Sequence, residues 1–261
     1  MAFCGTAVRQ RFRGGLIVRS QTTIVITVAV IVFSMVALAS QSRDGKSSSA
    51  IPRLPDGRPD LNGVWDHPFV QNMEMDGRDQ KGAGPLPFTP EGASIFKSFD
   101  AANYDYTGRC LPLGLTRSMN SPMPIQILQT NKDVVFLFEA WNMFHVVPVD
   151  GRPHPTDLVP QWNGLSVGHW EGDTLVIETS HFNDKSNLDT IGHPHSDQLR
   201  VVQRFTRTDD KHIAYEITIN DPKIFTKPWK NVRTFTLRPD WEILEYSCEE
   251  NNKDFIEGHI K

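Results

Sequence analysis

The chain has 261 residues, 39% of them hydrophobic and 22% charged, with a formal charge of −4. That is enough apolar material for one large domain or two small ones, and it excludes a disordered or collagen-like chain. The acidic balance argues against a nucleic-acid partner bound through its phosphates, and three cysteines are too few for a disulfide-rich scaffold or a four-cysteine zinc site.

Arg9, Arg11, Arg13 and Arg19 make a basic start without acids, and Ile24 to Ala39 is almost wholly apolar. Ala37-Leu38-Ala39 then offers a small-x-small cleavage site ahead of Ser40. This is the layout of a secretory signal over residues 1–39. The apolar run falls short of the about 20 residues that a membrane span needs. That favours cleavage over an inner-membrane anchor made by residues 24–39. Both readings put the remainder outside the cytoplasm, periplasmic or secreted, with membrane contact only through an uncleaved N-terminus. Cleavage also removes Cys4 and leaves Cys110 and Cys248, an even pair in an oxidising compartment. The expectation is a disulfide between them, against the alternative of two buried free thiols.

Residues 40–50 read as a disordered Ser-rich tether. Residues 51–123 read as an irregular segment packing on the domain that follows. Within it, IPRLPDGRPD (51–60) is punctuated by Pro and Gly, and Leu61 to Asp66 looks like a short strand. Pro90 to Phe99 reads as a short helix, with Thr89 as N-cap and proline at the first helical position.

From residue 124 to 261 the pattern changes to strands. Ile125–Thr130 and Val134–Trp141 flank the turn Asn131-Lys132-Asp133, and Met143–Val149 runs on to Asp150-Gly151. Ser166–Trp170 and Thr174–Thr179 flank Glu171-Gly172-Asp173, and Leu199–Thr208 and His212–Asn220 flank Asp209-Asp210-Lys211. Val232–Arg238 and Ile243–Cys248 flank Pro239-Asp240. Ile213, Tyr215, Ile217 and Ile219 alternate with polar neighbours at the period of a half-buried strand. The expected fold class is all-β. It is an antiparallel meander of about 8–10 strands closed into a lipocalin-like barrel, because a sheet of that size must manage its edges.

The segments PDGRPDLNGVW (55–65), WEGDTLVIET (170–179), PHSDQL (194–199), PW (228–229) and EYSCEEN (245–251) carry a resemblance. Over roughly residues 51–254 the chain resembles a large uncharacterised family of exported bacterial proteins. The resemblance implies export and a lipocalin-like barrel, and it implies no activity. Where relatives have Arg before the tryptophan of the WEGD segment, this chain has His169.

Gly164-Leu165-Ser166-Val167-Gly168 matches the nucleophile elbow of hydrolases, but that elbow needs a helix after it and a hairpin follows here. A polar turn into a strand is the better reading. His193 and His195 are two apart, but Pro194 between them breaks a strand ladder and no Glu follows within the next ten residues. The sequence calls for no metal and no cofactor. The acid–base candidates are His145, His195 and Glu139, with Arg152 to hold a carboxylate or a developing anion. Against this, Asp150-Gly151 is good turn chemistry by itself, and Arg152 would pair with a nearby acid. Six tryptophans are many, and core packing explains most aromatics in a small barrel. Trp162 and Trp229 sit in Pro-rich loops, where aromatics line ligand pockets. Trp141, Trp170 and Phe182 complete the candidate ligand-binding set. The expected function is binding of a small apolar or aromatic molecule. The alternative is a cofactor-free hydrolase, lyase or isomerase at the barrel mouth.

Overall fold

The structure is a computed structural model and describes residues 50–78, 80–81, 84–100, 105–250, 252–253 and 257. The expected signal segment and all of the tether except Ala50 lie outside the described residues. Ten strands form one sheet: β1 (Gly63–Asp66), β2 (Gln80–Lys81), β3 (Ile125–Gln129), β4 (Asp133–Phe138), β5 (Met143–Pro148), β6 (Leu165–Glu171), β7 (Thr174–Ser180), β8 (Arg200–Arg207), β9 (His212–Asn220) and β10 (Trp229–Leu237).

The sheet is the expected meander, nearly closed into a nine-strand barrel. Its order is β5-β4-β3-β1-β10-β9-β8-β7-β6, and β2 adds a short rung to β10. Every ladder on this path is antiparallel. An odd number of strands joined this way must leave its two outer members, β5 and β6, pointing in the same direction. Parallel neighbours cannot be joined by a hairpin and need a crossover. Residues 149–164 supply it.

No ladder among the described residues joins β5 to β6; side chains bridge this seam instead. His145 Nε2 lies 2.7 Å from Ser166 Oγ, which lies 2.6 Å from Thr179 Oγ1. Gly168 lets the two strands approach. A Cβ there would sit 2.9 Å from Val149 Cγ1 and 3.1 Å from Val147 Cγ1.

The barrel interior is filled by side chains. Phe136, Phe205, Tyr215 and Phe235 form a chain of ring contacts, with centroids 5.2, 4.9 and 4.9 Å apart in that order. All four are buried, as is Trp65, whose indole N–H donates to the Leu61 carbonyl at 3.0 Å. Burying such rings is the main stabilising term, about 1.5–3 kcal/mol per large side chain. Arg233 is also inside, 1% exposed. It donates to Gln80 Oε1, Asn231 Oδ1, Asn120 Oδ1 and the Met119 carbonyl, with no carboxylate among these partners. Burial pulls its pKa down to about 10, so it remains charged at neutral pH.

The register sorts the connections. The ends of β1, β4, β7 and β9 and the starts of β3, β5, β6, β8 and β10 share one end of the barrel. The long connections 67–124, 181–199 and 221–228 all lie there, with the bend at 139–142. The opposite end carries the tight turns at 130–132, 172–173 and 208–211. Loops placed by a rigid scaffold are where sites are built.

Three expectations need correction. Residues 51–123 do more than pack on the barrel, since β1 is a full member between β3 and β10. Residues 243–248 form no strand. One edge of β10 is taken by β9, and the other pairs with β1 at Thr236–Leu237 and with β2 at Val232–Arg233, so no edge is left for them. Trp229 is the buried first residue of β10, not a loop aromatic, with its N–H on the Gly84 carbonyl at 3.1 Å. The helix α1 (Pro90–Ser98) forms as read, with Thr89 Oγ1 accepting the Gly92 N–H at 3.0 Å. A shorter helix, α2 (Leu115–Ser118), was not read from the sequence.

Candidate functional site

A cavity of about 260 Å³ lies at the loop end of the barrel. Its apolar walls are Phe69, Leu113, Met123, Ala140, Trp141 and Tyr246. Arg117, Asn120, Ser121 and Thr190 add polar groups. The segment before β3, the bend after β4, the 181–199 connection and the chain after β10 each contribute to it.

The bend is unusual in its backbone. Trp141 has φ +61° and Asn142 φ +48°, both in the left-handed region that favours glycine. Each such residue costs about 1 kcal/mol or more and persists only where its surroundings hold it. Here the chain after β10 does the holding. Tyr246 N–H donates to Asn142 Oδ1 at 3.0 Å, Asn142 Nδ2 donates back to the Tyr246 carbonyl, and Leu244 N–H donates to Glu139 Oε2 at 3.0 Å. Tyr246 thereby stacks on Trp141, with centroids 4.9 Å apart and planes 26° apart. Two residues on, Cys248 forms a disulfide with Cys110, the Cα atoms 5.5 Å apart. The bridge ties this wall of the cavity to the segment that carries Arg117.

Arg117 donates to both oxygens of Asp105, at 2.9 and 2.6 Å. Burial alone would raise the Asp105 carboxyl, but bonds from Arg117 and Thr107 outweigh it and hold the group below its ordinary value. The charge at the cavity edge is therefore already neutralised within the protein.

The expected site residues do not meet in one cluster. His145 is 5% exposed and faces the interior at the seam, where burial pushes its pKa down to about 4. The structure does join it to Ser166 of the Gly164–Gly168 motif, but as a buried seam contact inside strand β6. Arg152 is exposed and pairs with Asp150 two residues back, at 2.9 and 2.6 Å. Its guanidinium serves the turn. Glu139 holds the Leu244 backbone at the cavity bend. His195 is buried in the 181–199 connection; its Nδ1 meets the Ser196 carbonyl at 3.0 Å and its Nε2 meets Ser186 Oγ at 2.8 Å. Burial lowers its pKa. A neutral ring with Nδ1 protonated, accepting from Ser186, satisfies both bonds.

Of the aromatics, Trp141 lines the cavity. Trp162 lines a second cleft of about 420 Å³ beside Pro160 and Lys185, and it stacks on Tyr106 with centroids 5.8 Å apart. Trp170 packs against the core beneath Arg58, and Phe182 is buried core.

The sequence reading missed Asp105, Arg117, Ser121, Ser186, Asp189 and Tyr246. His193 Nδ1 lies 2.6 Å from Asp189 Oδ2, both side chains fully buried, beneath Phe96 of α1. The one signal in the sequence for Tyr246 was its position two residues before a paired cysteine. No three His, Cys, Asp or Glu side chains gather as a metal site among the described residues. No protein-family model matches the chain, and no curated protein matches it at a significant level.

Proposed function

We propose that this protein is an exported binder of one small, largely apolar or aromatic molecule, held in the Trp141 cavity at the loop end of the barrel. The observation that carries the reading is the construction of that cavity. Its walls are largely apolar, an aromatic pair frames it, and a disulfide and the hydrogen bonds across the strained bend hold the frame in place. An apolar cavity of about 150 Å³ already accepts benzene, and pockets for drug-sized ligands start near about 300 Å³. A volume of about 260 Å³ suits one ring with a short substituent. The filled barrel interior leaves the mouth as the binding place. Export is supported by the basic and apolar N-terminus and by the Cys110–Cys248 bridge, which an oxidising compartment preserves.

The test is native mass spectrometry of the exported protein from its own host, followed by a ligand-observed magnetic resonance screen of single-ring compounds. Saturable binding that Tyr246→Ala removes supports the reading. No retained molecule and no hit at millimolar concentration sink it.

One observation favours a second reading, a cofactor-free hydrolase. Ser186, with its hydroxyl on an imidazole whose other nitrogen is held by a carbonyl, has the form of an activated nucleophile. Both residues are buried, and Ser186 lines neither cavity described above. Covalent labelling of Ser186 by a fluorophosphonate would favour the enzyme; no labelling leaves the binder.

A further inference from the structure

We infer that the ligand of the Trp141 cavity carries a neutral carbonyl oxygen on its apolar body, and that the Trp141 indole N–H and the Ser121 hydroxyl receive it. The inference rests on the binding reading above and names the chemistry of its ligand.

The polar lining residues differ in what they still have to offer. Asn120 is engaged at both ends: its Oδ1 accepts from Arg233 and its Nδ2 donates to the Leu188 carbonyl at 2.9 Å. Arg117 is engaged with Asp105. Trp141 Nε1 and Ser121 Oγ are different. Both atoms are buried, and neither has a hydrogen-bond partner among the described residues. Ser121 is 8% exposed, so its hydroxyl sits where water is scarce. Both residues line the cavity.

Buried polar atoms in native proteins are nearly always bonded, so unpartnered ones at a cavity call for a partner. An indole N–H can only donate, whereas a hydroxyl can donate or accept. Trp141 therefore dictates the sign, and Ser121 can follow it. The matching ligand atom is an acceptor oxygen. A hydrocarbon of the same shape would leave the donor unmade, and a site built to bond a polar group rejects the analogue that lacks it.

Charge decides between a carbonyl and a carboxylate. The cation at the cavity edge, Arg117, already has a full carboxylate partner in Asp105. A ligand carboxylate would find no free cation on the lining to meet it. A neutral aryl ketone or ester has the acceptor and needs no cation.

Three probes of one size test this: acetophenone, α-methylstyrene, in which CH₂ replaces the oxygen, and benzoate. Affinities are measured by ligand-observed magnetic resonance on the full exported chain, with indole N–H shifts of the nitrogen-15 labelled protein as a second readout. Acetophenone should bind at least about tenfold more tightly than α-methylstyrene and shift one indole resonance. In Trp141→Phe, which keeps the aromatic wall, that resonance is absent. The preference should there fall to within about twofold, while α-methylstyrene still binds. Equal binding of acetophenone and α-methylstyrene by the unmodified protein overturns the carbonyl inference and leaves the binding reading standing. Benzoate as the tightest probe overturns the neutral ligand. Failure of all three to bind overturns the binding reading, and the inference with it.

Discussion

Asn142 and Tyr246, 104 residues apart, bond each other in both directions: the amide of one grips the backbone N–H and carbonyl of the other. The grip fixes a strained bend and a chain segment together, and the cavity lies against both. Glycine accepts positive φ without cost, so Asn142→Gly separates the grip from the strain. Global stability should move by no more than about 1 kcal/mol, since relieved strain offsets lost hydrogen bonds. The Tyr246 amide should exchange with solvent markedly faster and ligand affinity should fall. An unchanged Tyr246 exchange rate would show that the grip is not what holds this wall.

The disulfide closes a long loop, its ends 138 positions apart in sequence. In the chain-entropy picture such a bridge stabilises by about 5 kcal/mol at most. The double variant Cys110→Ser, Cys248→Ser should lose several kcal/mol in urea unfolding and bind ligand more weakly, because Tyr246 loses its nearest covalent tether. A midpoint within error of the unmodified protein would contradict this.

Stability should fall in acid before most carboxylates protonate. His145 and His67 are both buried, and burial holds each pKa at about 4. An unfolded imidazole titrates near about 6.5. Between these values the unfolded chain binds more protons than the native one. The contribution of the two rings is full above about pH 6.5, declines as pH drops toward about 4 and levels off below it, each ring accounting for about 3 kcal/mol. Urea unfolding of the unmodified protein and of His145→Gln, at neutral pH and at about pH 4.5, measures the share of one ring. Equal acid losses in the two proteins would remove His145 as a source.

The seam between β5 and β6 depends on Gly168. The methyl of Gly168→Ala would press on Val149 and Val147 at distances tighter than ordinary contact. Overpacking of this kind costs about 1–3 kcal/mol. Amide exchange in β5 should quicken beyond what that global loss explains, because the seam has no backbone ladder to hold it. Uniform acceleration across all strands would instead show that the seam opens only with the whole barrel.

Much of the barrel was legible because its signals are local. Turns such as Asn131-Lys132-Asp133 and Glu171-Gly172-Asp173, between runs of alternating polarity, mark hairpins wherever the rest of the chain goes. Thr89 and Pro90 started a helix by the same logic, and the cysteine pair followed from parity and the expected compartment. The failures share one cause. Whether residues 243–248 become a strand depends on a free sheet edge, and β1 and β2, from far earlier in the chain, had taken it. The seam contact between His145 and Ser166, and the stacking of Trp141 on Tyr246, exist only once the meander curls and its ends meet.

Strand β10 shows the limit most clearly. Period-two alternation sets Arg233 on the face of Trp229 and Phe235, and Val232 on the face of Lys230 and Thr234. Taken singly, Val232 would turn inward and Arg233 outward. The barrel does the reverse: Val232 is 46% exposed, and Arg233 is buried against Gln80, Asn120 and Asn231. A buried guanidinium is tolerated only where acceptors converge on it. Gln80 and Asn120 are brought to it by chain closure, from more than 100 residues away, and no local pattern encodes their arrival.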